Sequence, residues 1–121
     1  RVTDERALLA IQNAAGQARL ALEARLSTSL PDTPNAGSEL AVSSGNLVWA
    51  RPFGVHDGVD FRHTGTVREI RTQALRALLD AGHLVIQPPL GHSLTGEVFN
   101  LPVDEVAVEI GEGAEISYVT P

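Results

Sequence analysis

Gly91, Ser93, Thr95, Gly96, Asn100 and Asp104 all fall within one segment, Pro88-Pro89-Leu90-Gly91-His92-Ser93-Leu94-Thr95-Gly96-Glu97-Val98-Phe99-Asn100-Leu101-Pro102-Val103-Asp104. The two glycines permit backbone that other residues cannot adopt. Ser93, Thr95 and Asn100 offer side-chain hydrogen bonds. The segment follows a short apolar run, Leu84-Val85-Ile86, and leads into a helix-like stretch. In an open α/β sheet, ligands bind where a strand ends and a helix begins. The positive end of such a helix favours an anion such as a carboxylate. The segment is not a P-loop, because the Gly-Lys-Ser/Thr ending is missing. The competing reading is an ordinary strand-to-helix connection. Loops of this length in compact domains are usually functional, which favours a ligand site.

Other residues are weaker candidates. His56, Asp57, Asp60 and His63 are close together, and two His with two Asp could ligate a metal. Their spacing fits no compact zinc pattern, and Gly58 points to a solvated turn, so no metal is assigned. Asp104, Glu105, Glu109 and Glu112 share one expected helix, with Glu105 and Glu109 on a solvated face. Asp104 sits in its first turn, where an acid suits the helix dipole. Trp49 and Phe53 read as core or interface residues. No nucleophile elbow is present.

The elements that must position these residues can be read from periodicity. Thr3 to about Leu26 reads as a helix, capped by Thr3, with Leu8, Ile11, Ala15, Leu22 and Leu26 at helical spacing. Ser27 to Ser38 holds Pro31, Pro34 and Gly37 and reads as a loop. Glu39 to Val42 and Leu47 to Ala50 are expected as a hairpin around Ser43-Ser44-Gly45-Asn46. Val59 to Phe61 and Thr66 to Ile70 are expected as a second antiparallel pair. Thr72 to Asp80 reads as a helix stopped by Gly82, with Leu75, Leu78 and Leu79 inward. Leu84 to Gln87 is expected as a buried strand. A third helix starts at Pro102 and ends near Ile110, because Gly111 and Gly113 are poor helix residues. Either that helix is shortened, or residues are absent between about 108 and 114, which is the favoured reading. Ile116 to Val119 would complete a βαβ unit with the 84–87 strand.

Composition narrows the field. The chain has 121 residues, enough for one domain or part of one. Its apolar share of 43% can supply a core, and its net charge of -6 argues against a nucleic-acid partner. Cys is absent, which excludes disulfides and thiolate metal sites. No apolar run approaches the length of a membrane span, so no membrane partner is expected. A cytoplasmic setting fits this composition. The first residue is Arg1 rather than Met, so a processed or partial chain is expected.

Several blocks carry a resemblance: Arg1-Val2-Thr3-Asp4, Glu23-Ala24-Arg25-Leu26-Ser27, Ser44-Gly45-Asn46, Ala50-Arg51-Pro52, Gly54-Val55, Asp57-Gly58-Val59-Asp60-Phe61, His63-Thr64-Gly65 and Thr95-Gly96-Glu97-Val98-Phe99-Asn100-Leu101. In this order, they resemble the amino-acid-kinase-like domain of bacterial two-domain N-acetylglutamate synthases. The resemblance implies an α/β fold, a three-layer sandwich with a mainly parallel sheet and a β-hairpin region, incomplete at both ends. It implies that residues 1–121 are part of that kinase-like domain, with no acetyltransferase domain in this chain. By alignment with acetylglutamate kinase, Arg1 matches an Arg that contacts the substrate carboxylate. Asn100 matches an Asn that contacts substrate, and Asp104 an Asp that orders catalytic lysines. Gly91 lies in the equivalent loop. Arg1, Gly91, Asn100 and Asp104 are therefore the ligand-binding residues the resemblance implies. Pro102 stands where the kinase has a second Asn, which sets the chain apart from the kinase and fits the synthase.

For the whole enzyme, the resemblance implies acetyl transfer from acetyl-CoA to L-glutamate in arginine synthesis. Glutamate-type ligands and arginine, as effector, are the implied small-molecule partners, and a homo-oligomer is implied. The segment itself would hold no cofactor and no catalytic residue. Acetylglutamate kinase and a non-catalytic small-molecule-binding module are the alternatives.

Overall fold

The computed structural model describes residues 1–27 and 41–114. The expected 27–38 loop after Ser27, the first half of the 39–42 strand and the 116–119 strand lie outside them.

A long helix opens the chain: α1 spans Glu5–Leu26. Asp4, not Thr3, caps it, accepting a hydrogen bond from the Ala7 N–H at 2.8 Å. An acidic cap also suits the positive end of the dipole. No α1 residue is fully buried, and Leu9, Leu20 and Leu22 are exposed. The half-buried residues include Leu8, Ile11, Gln12, Ala15, Gly16, Glu23 and Leu26, one helical face. The inward role expected of Leu22 is thus corrected.

The strands are short. They are β1 (Val42–Ser43), β2 (Val48–Pro52), β3 (Val55–His56), β4 (Val59–Asp60), β5 (Gly65–Ile70), β6 (Leu84–Val85), β7 (Leu90–His92) and β8 (Val98–Asn100). The main sheet has the order β5-β2-β7-β8. The β2–β5 and β7–β8 pairs are antiparallel, and β2–β7 is parallel. Separately, β1 pairs in parallel with β6, and β3 pairs antiparallel with β4. Among the described residues the pairing is therefore mixed, not mainly parallel. The α/β class stands.

Two expected hairpins are replaced by other pairings. β1 does not turn back onto β2. Its partner is β6, and the Leu84 and Ile86 N–H groups donate to the carbonyls of Ala41 and Ser43. The Ser43 hydroxyl also meets His83 Nδ1. β5 pairs with β2 instead of with the Val59 strand, and a register shift at Trp49/Ala50 skips Arg68. β4 turns back on β3 across Asp57-Gly58, with φ of 52° and 77°. Those left-handed angles at both central residues suit a tight two-residue hairpin turn.

α2 (Thr72–Asp80) and α3 (Val103–Gly113) supply the helical side of the core. The core holds Leu47, Val48, Ala50, Ile70, Leu75, Phe99, Leu101 and Val106. Leu75 comes from α2 as expected, with Leu78 and Leu79 packed against the cluster. The 84–87 strand is shorter and less buried than expected, with Leu84 39% exposed. α3 runs past its expected end. Gly111 is buried within it, and the Ala114 N–H closes on the Ile110 carbonyl at 2.9 Å. A Cβ on Gly113 would lie 3.4 Å from Ile70 Cγ2, so this end of α3 lies close against β5. The unbroken helix gives no support to absent residues between 108 and 114.

Glu105 is not on a solvated face. Its carboxylate accepts from the Val67 N–H at 2.7 Å, satisfying a donor on the sheet's edge strand. No helix among the described residues is long and apolar enough to cross a membrane.

Candidate functional site

The 88–104 segment is a hairpin inside the main sheet, not one irregular loop. β7 and β8 pair Leu90 with Asn100, Gly91 with Phe99 and His92 with Val98. Between them, the turn closes on itself. The Ser93 N–H donates to the Glu97 carbonyl at 2.8 Å, and Gly96 takes a φ of 86°. Ser93 Oγ accepts from the N–H groups of Thr95 and Glu97. The expected ligand-facing hydroxyls of Ser93 and Thr95 are thus engaged in holding the turn.

Gly91 needs to be glycine for a reason other than conformational freedom. A Cβ there would lie 2.9 Å from Leu101 Cδ1 and 3.1 Å from both Ala50 Cβ and the Val48 carbonyl oxygen. Crowding from the core side excludes a side chain. Its other side is open and faces the cavity described below.

Asn100 belongs to a polar cluster that ties the chain's first residues to the sheet. Its N–H donates to the His63 carbonyl at 2.8 Å, and Nδ2 donates to Thr3 Oγ1 at 3.2 Å. Thr3 is only 2% exposed, and its hydroxyl lies 2.7 Å from that of Thr64. The Thr64 hydroxyl donates to the Arg1 carbonyl. Each hydroxyl has a single proton. With that of Thr64 committed to Arg1, the Thr3 hydroxyl must donate to Thr64 while accepting from Asn100. The donors therefore run one way, from the Asn100 amide through Thr3 and Thr64 to the Arg1 carbonyl. The His63 N–H adds a 2.9 Å bond to the Thr3 carbonyl. The cluster brings Arg1 and Asn100 together through these hydroxyls. Thr3 and Thr64 are its missed members; the sequence offered Thr3 as a helix cap and both only as members of short blocks, not as site residues. Asp104 is exposed in the first turn of α3 and takes no part in the cluster.

The His/Asp group around 56–63 is used otherwise. His56 stacks on Phe53 with ring centroids 3.9 Å apart, and its Nε2 meets the Phe53 carbonyl at 2.8 Å. Phe61 packs edge-on against Phe53 at 4.8 Å. Asp60 accepts from the Arg62 N–H at 2.9 Å, supporting the positive φ of Arg62. Among the described residues, no three or more His, Asp or Glu side chains come together in a metal-holding group. Trp49 is half-buried, edge-on to His92 at 4.9 Å, with the Arg71 guanidinium 5.7 Å from its ring centre.

A cavity of about 370 Å³ lies between α1 and the β7–β8 hairpin. Gln12, Ala15, Gly16 and Arg19 of α1 form one wall, Gly45-Asn46 another, and Gln87 to His92 with Val98 the floor. Glu23 of α1 steadies this arrangement by accepting from the Ser44 hydroxyl at 3.2 Å. The expectation of a concave site along the 88–104 segment is met by Pro88, Leu90, Gly91, His92 and Val98. Asn100 and the start of α3 are not in its wall, because Asn100 turns to Thr3 instead.

No protein-family model matches the chain. The chain is 49% identical over 107 residues to an amino-acid acetyltransferase of Pseudomonas syringae pv. syringae, covering 88% of this chain and 25% of that protein. It is also similar to the crystal structure of N-acetylglutamate synthase from Neisseria gonorrhoeae complexed with coenzyme A and N-acetyl-glutamate. That match has a TM-score of 0.82 and 41% identity, over 96% of this chain and 25% of that one. A second structure of that synthase, complexed with coenzyme A and L-arginine, matches with a TM-score of 0.87 and 40% identity, over 96% and 27%. The chain thus spans about a quarter of the length of the relatives it matches.

Proposed function

We propose that the chain is part of the amino-acid-kinase-like domain of an N-acetylglutamate synthase. The whole enzyme would transfer acetyl from acetyl-CoA to the amino group of L-glutamate, with arginine as feedback effector and in a cytoplasmic homo-oligomer. This segment's role is regulatory and oligomer-forming, and it holds neither the acetyl-transfer site nor a cofactor.

The observation that carries this reading is the similarity to the two synthase structures at 40–41% identity over nearly the whole chain. Identity at that level goes with shared detail as well as shared fold. The coenzyme A and L-arginine in those complexes belong to that synthase, and their transfer to this protein is part of the proposal. The Arg1–Thr3–Thr64–Asn100 cluster supports it from the residue side. It holds the Arg1 backbone near Asn100, and these are the two residues that the kinase resemblance assigns to substrate contact. Gly91 and Asp104 are the further ligand-binding residues proposed.

Acetylglutamate kinase is the second reading, and Pro102 argues against it. Pro102 is the exposed N-cap of α3 and makes no side-chain cap hydrogen bond, where the kinase has an amide-bearing Asn. The test is direct. The 121-residue chain, incubated with acetyl-CoA and L-glutamate, is expected to yield no N-acetylglutamate above background. Product above background would refute the assignment of acetyl transfer to another part of the protein.

A further inference from the structure

Asp57-Gly58 is the one place in the sequence where an Asp or Asn is followed by glycine. Every other Asp precedes a residue that carries a Cβ: Glu5, Thr33, Phe61, Ala81 or Glu105. The pair forms the central positions of the β3–β4 turn, at φ of 52° and 77°. Both residues are exposed. A Cβ built on Gly58 would meet nothing within 4 Å, so its backbone nitrogen is open to approach.

Little ties this tip down. The Asp60 carboxylate is engaged by the Arg62 N–H, but among the described residues the Asp57 carboxylate and the Gly58 N–H have no hydrogen-bond partner. β3 and β4 have two residues each, and a hairpin that short is marginal without packing. Its packing comes from Phe53, which stacks on His56 at 3.9 Å and meets Phe61 edge-on at 4.8 Å. Opening of the tip is therefore opposed mainly by this aromatic contact.

We propose that Asp57 is a site of spontaneous isomerisation that releases the β3–β4 hairpin. When the turn opens, the Gly58 nitrogen bonds to Asp57 Cγ. The N–H proton and the carboxyl's hydroxyl leave as water, and a cyclic succinimide closes. Water then adds to one of the two ring carbonyls. Cleavage between the nitrogen and Cγ restores Asp57. Cleavage between the nitrogen and the former backbone carbonyl carbon sends the chain through Cβ and leaves isoaspartate. The water lost in the first step is regained in the second, so no co-reactant is needed. Isoaspartate lengthens the backbone by a methylene. A tight two-residue turn with left-handed angles at both positions cannot re-form around that extra atom. The effect reaches beyond the tip, because Thr3 bridges to Arg62 and its N–H meets the Phe61 carbonyl at 3.5 Å. Release of the hairpin thus loosens the hold on the chain's first residues. The reaction needs only Asp57 and Gly58 and does not depend on the acetyltransferase reading.

The test ages the complete protein containing this chain for several weeks at neutral pH and body temperature. Isoaspartate is then mapped by digestion and by labelling with an isoaspartate-specific methyltransferase. It is expected at Asp57 and at no other Asp of this segment. Asp57→Glu, which would have to close a larger ring, is expected to abolish it. Phe53→Ala loosens the hairpin and is expected to raise the rate roughly two- to tenfold, the range set by loss of an aromatic pair. Gly58→Val also strains the turn open, since a β-branched residue resists positive φ. Its side chain shields the nitrogen, so the rate is expected to fall below that of the unaltered protein. In the aged sample, the isoaspartate-bearing fraction is expected to lose hydrogen-exchange protection across residues 55–60. The proposal is overturned if Asp57 yields no isoaspartate, if other Asp residues of the segment isomerise as fast, or if Phe53→Ala leaves the rate unchanged. Equal protection in the two fractions would overturn the release of the hairpin.

Discussion

Thr3 shows how much can rest on one hydroxyl. It accepts from Asn100, donates to Thr64, and is almost wholly buried. Thr3→Val keeps the shape and removes both bonds, stranding the Asn100 amide. It is expected to lower stability by about 1–3 kcal/mol in urea denaturation, because unsatisfied buried polar groups cost that much. Thr3→Ser keeps the hydroxyl and is expected to recover most of the loss. If Thr3→Val leaves the denaturation midpoint unchanged, the one-way donor chain is wrong. Gly91 is the second residue-scale case. Gly91→Ala is expected to destabilise the chain by about 1–3 kcal/mol, the usual range for overpacking a core. The same substitution at Gly45 meets no neighbour and is expected to leave stability unchanged within about 0.5 kcal/mol. Thermal denaturation of the two variants side by side checks both. The glycines were visible in the sequence, but their reasons were not. Crowding by Leu101, Ala50 and Val48 involves residues brought together only by folding.

At the scale of elements, the three helices were legible and the strand pairings were not. α1, α2 and α3 carry their apolar residues at helical spacing, which is a local signal. β1 is two residues long and pairs with β6, about forty positions away, so nothing near it in sequence names its partner. β7 and β8 have three residues each, too few to show alternation, and they sit among Gly, Pro, Ser and Thr that read as loop. The α3 boundary was misread because helix propensity counts Gly111 and Gly113 as stops. Packing against β5 overrides that local preference. Two substitutions test how the helices are held. Leu75→Ala, at the centre of the core, is expected to cost about 2–5 kcal/mol. Glu105→Ala removes the acceptor for the Val67 N–H and is expected to cost about 1–2 kcal/mol, with Glu105→Gln largely neutral. Equal losses from the Gln and Ala substitutions would show that the carboxylate's charge, not its hydrogen bond, matters.

For the whole molecule, the candidate site was legible only in part. Asn100 and Arg1 were singled out through the resemblance, and the structure joins Asn100 to the Arg1 backbone through two threonines whose local signals, a helix cap and a short block, did not point to one another. The cavity draws on α1, the 45–46 turn and β7, a conjunction that depends on tertiary folding. The functional reading rests on similarity that spans a quarter of its relatives' length. Its central claim is that this segment belongs to an enzyme that acetylates glutamate rather than one that phosphorylates acetylglutamate. The most direct measurement supplies the complete protein containing this chain with acetyl-CoA and L-glutamate, and in parallel with ATP and N-acetylglutamate. The account predicts N-acetylglutamate and free coenzyme A in the first mixture, slowed by added L-arginine, and no phosphorylated product in the second. Phosphorylation of N-acetylglutamate, or no acetyl transfer to glutamate, would contradict it.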